Sequence, residues 1–138
     1  MFRWFIFLSF LFFLQLLKHL LFILKLVIVH LDDIIEYLVD DNHQDIVLDI
    51  LFSIASQVPI ALEPYLCLFE KSNYYDSYKV SKIISTIGRS LKSKSEYCTN
   101  LLIKRIDNTD KTLHVLKEIY AIAVVHPNVL GTHSSFIF

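Results

Sequence analysis

Glycine is nearly missing from this chain of 138 residues, with only Gly88 and Gly131 present. A loop that cradles phosphate needs several glycines so that the backbone can close on the anion, which excludes a P-loop or dinucleotide fingerprint. The same scarcity removes the G-x-S-x-G elbow of hydrolases. Cysteine is as rare: Cys67 and Cys98 alone make neither a disulfide framework nor a zinc site. Both are expected to be buried thiols of a reducing compartment. Among His19, His30, His43, His114, His126 and His133, no two stand at the i, i+4 spacing of an H-E-x-x-H helix. No catalytic, cofactor-binding or metal-binding residue stands out, and the chain is expected not to be an enzyme.

Positive charge is missing over a long stretch. From Leu26 to Glu70 there are nine acids and no Lys or Arg, whereas ten of the thirteen bases lie between Lys71 and Lys117. The net charge of −1 gives no global basic signal, and no aromatic and arginine platform is present, so nucleic acid is not an expected partner. Asp32, Asp33, Glu36, Asp40 and Asp41 look like a carboxylate cluster but read more simply as a solvated helix face. Lys79, Lys82, Arg89, Lys92 and Lys94 lie on or just after one helix, with Lys104 and Arg105 in the next. These seven are the candidate patch for anionic lipid or an acidic partner, set against the plainer reading of solvated side chains. Tyr74, Tyr75 and Tyr78 read as loop packing.

What the chain has in abundance is apolar residues, 54% of the total, enough for the core of one domain. The first 29, MFRWFIFLSFLFFLQLLKHLLFILKLVIV, are hydrophobic on every side. The uncharged run Trp4 to Leu17 is shorter than the roughly 20 residues that cross a bilayer, and extending it places Lys18 and His19 inside. No A-x-A cleavage site follows it. Three readings stand side by side: a signal anchor or interfacial helix, a helix that packs on the rest of the chain, and a non-native stretch of the kind translated from AT-rich non-coding sequence. The GTHSSFIF tail raises the last question again.

Beyond His30 the pattern becomes ordered. Leu31, Ile34, Ile35 and Leu38 share one helical face opposite Asp32, Asp33, Glu36 and Asp40. Asp40, Asp41 and Asn42 form a turn, any of them able to cap a helix with the face Val47, Leu48, Leu51, Ile54 and Ala55. Pro59 suits the first turn of a new element but not a helix interior. Tyr65 to Phe69 continues as an apolar helix, SNYYDSY connects, and Val80, Ile83, Ile84 and Ile87 give the next stripe. Tyr97, Leu101, Leu102 and Ile106 follow, then a turn at Asp107 to Asp110, then Leu113, Leu116, Ile119, Ile122 and Ala123, closed by Pro127.

These helices repeat. Setting Pro59 on Pro127, an offset of 68, superposes Val47 on Val115, Leu48 on Leu116, Leu51 on Ile119, Phe52 on Tyr120, Ile54 on Ile122, Ala55 on Ala123 and Leu62 on Leu130. Ile84, Ile87 and Gly88 supply a third copy, so the units recur every 33 to 35 residues. The small residue after the isoleucine, Ala55, Gly88 or Ala123, suits close approach of neighbouring helices. Two-helix units of this period define an α-solenoid, here of about three pairs. Tetratricopeptide units share the period but need small residues where this chain has Ile35 or Ile103 and Val47 or Val115, which favours a HEAT/armadillo-like unit. The fold class is therefore all-α, with a hydrophobic segment at 1–29, repeats at 30–131 and a tail at 132–138.

DIVLDILFSIA (Asp45 to Ala55), PIALEPYL (Pro59 to Leu66), KIISTIG (Lys82 to Gly88), YCTNLL (Tyr97 to Leu102) and LKEIYAI through VLG (Leu116 to Gly131) resemble the N-terminal helical region of the Melted family, the ventricular zone-expressed PH-domain-containing proteins. The resemblance covers about three quarters of the chain. It implies an intracellular adaptor with an armadillo-like region and a phosphoinositide-binding PH domain, tied to insulin/TOR and FOXO control and to TGF-β signalling. This sequence is read as lacking that PH domain and as a fragment of a longer protein, so membrane association is expected through residues 1–29 or through the missing PH domain. The expectation is a non-enzymatic protein-interaction scaffold with protein partners and no cofactor, cytoplasmic and at the plasma membrane. The alternative is a small helical protein anchored in a membrane through residues 1–29.

Overall fold

The computed structural model describes residues 2–39, 42–70, 78–106 and 112–131, and among them there are helices and turns but no strand. The chain divides into two units, Met1–Glu36 and Tyr37–Phe138.

The first unit is dominated by α1 (Phe2–Val29), 28 residues that span about 42 Å at 1.5 Å per residue, against about 30 Å for a bilayer's hydrocarbon core. No Gly or Pro interrupts it, and leucines recur along its whole length, so nothing in the sequence breaks the helix. Its part Arg3–Val29 is long and apolar enough to cross a membrane by length and composition, with Lys18 and Lys25 inside the span, and its side chains are almost all exposed. A helical hydrogen bond from His30 N–H to the Leu26 carbonyl, 3.2 Å, carries the backbone to α2 (Leu31–Glu36).

The expected helix over Leu31 to Leu38 is shorter than its apolar spacing suggests. It ends at Glu36 and tightens into a 3-10 turn, Tyr37–Val39. The Leu38 carbonyl freed there accepts a hydrogen bond from the Gln44 amide at 3.3 Å. The capping expectation is also corrected. Helix α3 (Gln44–Gln57) begins later than the acidic turn, its cap position is His43, and no side-chain cap hydrogen bond is made there. Asn42 therefore lies one position too early, and Asp40 and Asp41 lie outside the described residues. The His43 ring instead meets the Tyr37 ring edge-on at 5.9 Å.

The five apolar positions read from the sequence for α3, Val47, Leu48, Leu51, Ile54 and Ala55, are its five buried residues. Val58 breaks the helix, and Pro59 opens an eleven-residue 3-10 segment, Pro59–Phe69. Its winding replaces the α-helix expected at Tyr65 to Phe69. Pro64 gives the reason: it offers no N–H, and its ring would collide with a carbonyl one α-turn earlier. Leu62, Leu66 and Phe69 point inward, while Cys67 is exposed, which overturns its expected burial.

Helix α4 (Tyr78–Ser90) is the centre of the second unit and packs against α3, the 3-10 segment, α5 (Ser95–Ile106) and α6 (Thr112–Val125). Such a position needs burial on more than one side. Val80, Ile83, Ile84 and Ile87 supply the apolar part, and Ser81, Ser85 and Gly88 supply a small-residue ridge. A Cβ added at Gly88 would stand 2.8 Å from Ile122 Cδ1 and 2.9 Å from Cys98 Cβ, so three helices converge where the sequence has no side chain. The Ser85 hydroxyl donates across to the Glu118 carbonyl at 3.3 Å. In α5 the inward residues are Cys98, Thr99, Leu101 and Leu102, with Tyr97 exposed and Ile106 half-buried. In α6 they are Val115, Ile119, Ile122 and Ala123, whereas Leu113 and Leu116, expected on the same core face, are exposed.

Candidate interaction surface

Three of the seven basic residues singled out by sequence turn onto carboxylates of their own chain. The Lys79 ammonium lies 3.0 Å from Asp45 and 2.8 Å from Asp49, joining α4 to α3. Lys94 reaches Glu63 at 3.5 Å, and Lys104 donates to Glu70 Oε1 at 2.8 Å. The Tyr97 hydroxyl donates to the other Glu70 oxygen at 3.3 Å. The charge asymmetry of the sequence thus becomes a set of cross-links between the acidic first half and the basic second half. Lys82 sits over the Tyr78 ring at 4.4 Å, and Arg89 donates to the Thr86 hydroxyl at 3.3 Å. Lys92 is exposed, and Arg105 is half-buried near the end of α5. Among the described residues, Lys82, Arg89 and Lys92 carry no carboxylate partner. Tyr74 and Tyr75 lie outside those residues.

Four groups hold their protons more tightly than usual. Hydrogen bonds donated to Asp49 and Asp45 raise Lys79, and the one donated to Glu70 raises Lys104. Burial, then the Glu70 charge, raises Tyr97. Burial pushes the Cys98 thiol up from 9.0 to about 12. All four act in the same direction. A raised folded value means stabilisation that is complete below the unfolded value and is lost as pH rises through the folded one. Stability should therefore decline from about pH 9, with Cys98 opening the window, by on the order of 2 kcal/mol at about pH 10.5 from that thiol. Urea titrations at stepped alkaline pH check this, and Cys98→Ala should flatten the first part of the decline.

The two thiols differ in access. Ellman's reagent should label Cys67 at once and Cys98 only on unfolding, giving one fast equivalent per chain under native conditions and two in denaturant.

A depression of about 370 Å³ opens beside the start of α5, lined in part by Lys92, Glu96, His126 and Pro127. A His126 ring nitrogen lies 2.9 Å from the Arg89 carbonyl and ties the end of α6 to the end of α4. Among the described residues no group of three His, Cys, Asp or Glu is placed to hold a metal ion.

Sequence reasoning missed the outer side of α6. Leu113, Leu116, Tyr120 and Val124 are all exposed there, beside exposed Lys117. The signal was available: TLHVLKEIYAIAVV is apolar on two sides of a helix, not one.

Among the described residues these features are those of an all-helical protein that presents surfaces and carries one long apolar helix. No protein-family model matches the chain, and no solved structure matches it. Its curated relatives are the ventricular zone-expressed PH domain-containing protein 1 of Mus musculus and homolog 1 of Homo sapiens, each 28% identical over 110 residues. The homolog 1 of Rattus norvegicus is 26% identical over the same length. Each alignment takes in 76% of this chain and 13% of the relative, so the chain spans about an eighth of the proteins it matches.

Proposed function

We propose that this chain is a non-enzymatic protein-interaction scaffold, an α-solenoid of about three HEAT/armadillo-like helical pairs that works through helix faces. The observation that carries it is the agreement between repeat and burial: Leu51, Ile84 and Ile119, then Ile54, Ile87 and Ile122, then Ala55, Gly88 and Ala123 are all buried at matched positions. The distant relatives, named for a PH domain, favour an adaptor of the Melted type in signalling, with insulin/TOR/FOXO or TGF-β pathways as its setting. Its partners are proteins, and Lys82, Arg89 and Lys92 remain the basic residues available to an acidic partner or an anionic lipid. Its place is the cytoplasm, at the plasma membrane.

Partner capture with the full chain and with a Gly88→Leu variant tests the scaffold. Proteins that co-purify with the native chain should be lost with Gly88→Leu. Retention of the same set by the variant, or no set beyond that of an unrelated helical control, defeats the proposal.

A second function is favoured by α1, whose long apolar surface is bare. A membrane anchor bearing a helical head would resist alkaline carbonate extraction as the full chain, while a chain starting at His30 would be released completely. Release of both removes the anchor.

A further inference from the structure

Helix α6 carries two apolar faces, and one of them is already explained by α4 and α5. The other is a line of Leu113, Leu116, Tyr120 and Val124 at i, i+3, i+7 and i+11, which are 66, 37, 71 and 61% exposed. The internal repeat shows what seats on this line. The offset of 68 places it on Asp45, Leu48, Phe52 and Ser56 of α3. There Leu48 is only 1% exposed, α4 packs on α3, and Lys79 of α4 is held between Asp45 and Asp49. Further along the same line Phe52 is 37% exposed and Ser56 is exposed, so the part of α3 around Leu48 is the seat, and the first turn of the helix on it is fixed by charge. On α6 the charge is reversed, because Lys117 stands where α3 has Asp49 and Leu113 stands where it has Asp45.

We propose that the outer line of α6 docks an amphipathic helix of a protein partner as α3 docks α4, with an acidic residue in the place of Lys79 set against Lys117. This rests on the stacked-repeat reading above and adds to it the chemistry of the ligand. The docked helix carries an Ile/Val stripe spaced like Val80, Ile83, Ile84 and Ile87. Leu116 and Tyr120 supply the apolar seat. Lys117 selects: it attracts a carboxylate and repels a helix that, like α4, begins with lysine.

The probe is a peptide of residues 78–90 carrying Lys79→Glu, stapled across positions 82 and 86 because thirteen residues alone make a marginal helix. It is titrated into the full chain in mild detergent. Binding is expected, weakened at least tenfold by Leu116→Glu or by Tyr120→Glu in the chain. The peptide that retains Lys79 should bind about tenfold more weakly, and Lys117→Glu in the chain should exchange the two preferences. Absence of binding, equal binding to the Leu116→Glu chain, or no exchange with Lys117→Glu overturns the proposal. So does a dimer that Tyr120→Glu dissociates in sedimentation, which makes a second copy the occupant. A benzophenone at position 116 that cross-links to residues 132–138 of its own chain overturns it as well. Thiol labelling of Cys98 separates the two levels: protection with failed docking leaves the stacked repeats standing, while rapid labelling in the unsubstituted chain removes the stack itself.

Discussion

Gly88→Ala is expected to destabilise the helical unit by about 1–3 kcal/mol, as overpacking of a filled core does. The sign is informative, since alanine in place of glycine inside a helix would otherwise stabilise by about 1 kcal/mol. The added methyl meets Ile122 Cδ1 at 2.8 Å and Cys98 Cβ at 2.9 Å. Ile122 can turn its terminal carbon away, but Cys98 Cβ is fixed to the backbone of α5, so relief requires moving one helix relative to another. Ile122→Val removes the first of these obstacles and should recover part of the loss. Gly88→Leu has no such remedy and should abolish the cooperative transition followed by circular dichroism in urea. A Gly88→Ala chain as stable as the native one would mean that the three helices do not converge there.

The second large effect separates two leucines that the repeat treats as equivalent. Leu48→Ala should cost about 2–5 kcal/mol, the range for emptying a closed core site. Leu116→Ala should cost about 1 kcal/mol or less, because at a partly exposed site water fills the space that is left. Leu48 is buried and Leu116 is 37% exposed. Urea midpoints for both variants decide the matter, with unchanged slopes showing that folded and unfolded states remain comparable. Equal losses would mean that α6 has a covering helix like that of α3.

Legibility in the sequence followed periodicity. The buried faces of α3 and the apolar stripe of α4 could be named residue by residue, because one-sided burial leaves a 3.6-residue pattern. Where burial is two-sided or absent the pattern loses its meaning. In α6 the outer stripe is as apolar as the inner one, so Leu113 and Leu116 were assigned to the core on spacing alone. Ser81 and Ser85 were not recognised as interior because hydroxyls read as surface, although Ser85 finds a carbonyl partner on α6. The 3-10 winding at Pro59–Phe69 was hidden because its inward positions, Leu62, Leu66 and Phe69, are spaced as an α-helix would space them. As for the candidate site, charge order along the chain was visible, but the pairing of Lys79, Lys94 and Lys104 with acids far back in sequence depends on which helices become neighbours.

The winding of Pro59–Phe69 has a mechanical consequence. At about 2.0 Å per residue its eleven residues reach about 22 Å, whereas the same residues wound as an α-helix would reach only about 16 Å. The proline at 64 thus serves as a spacer, lengthening a strut without adding residues. At the far end of that strut Glu70 meets both Tyr97 and Lys104. A strut shortened by about 6 Å would draw that carboxylate back from α5, so the span between neighbouring helices is gauged by the pitch of the segment that connects them.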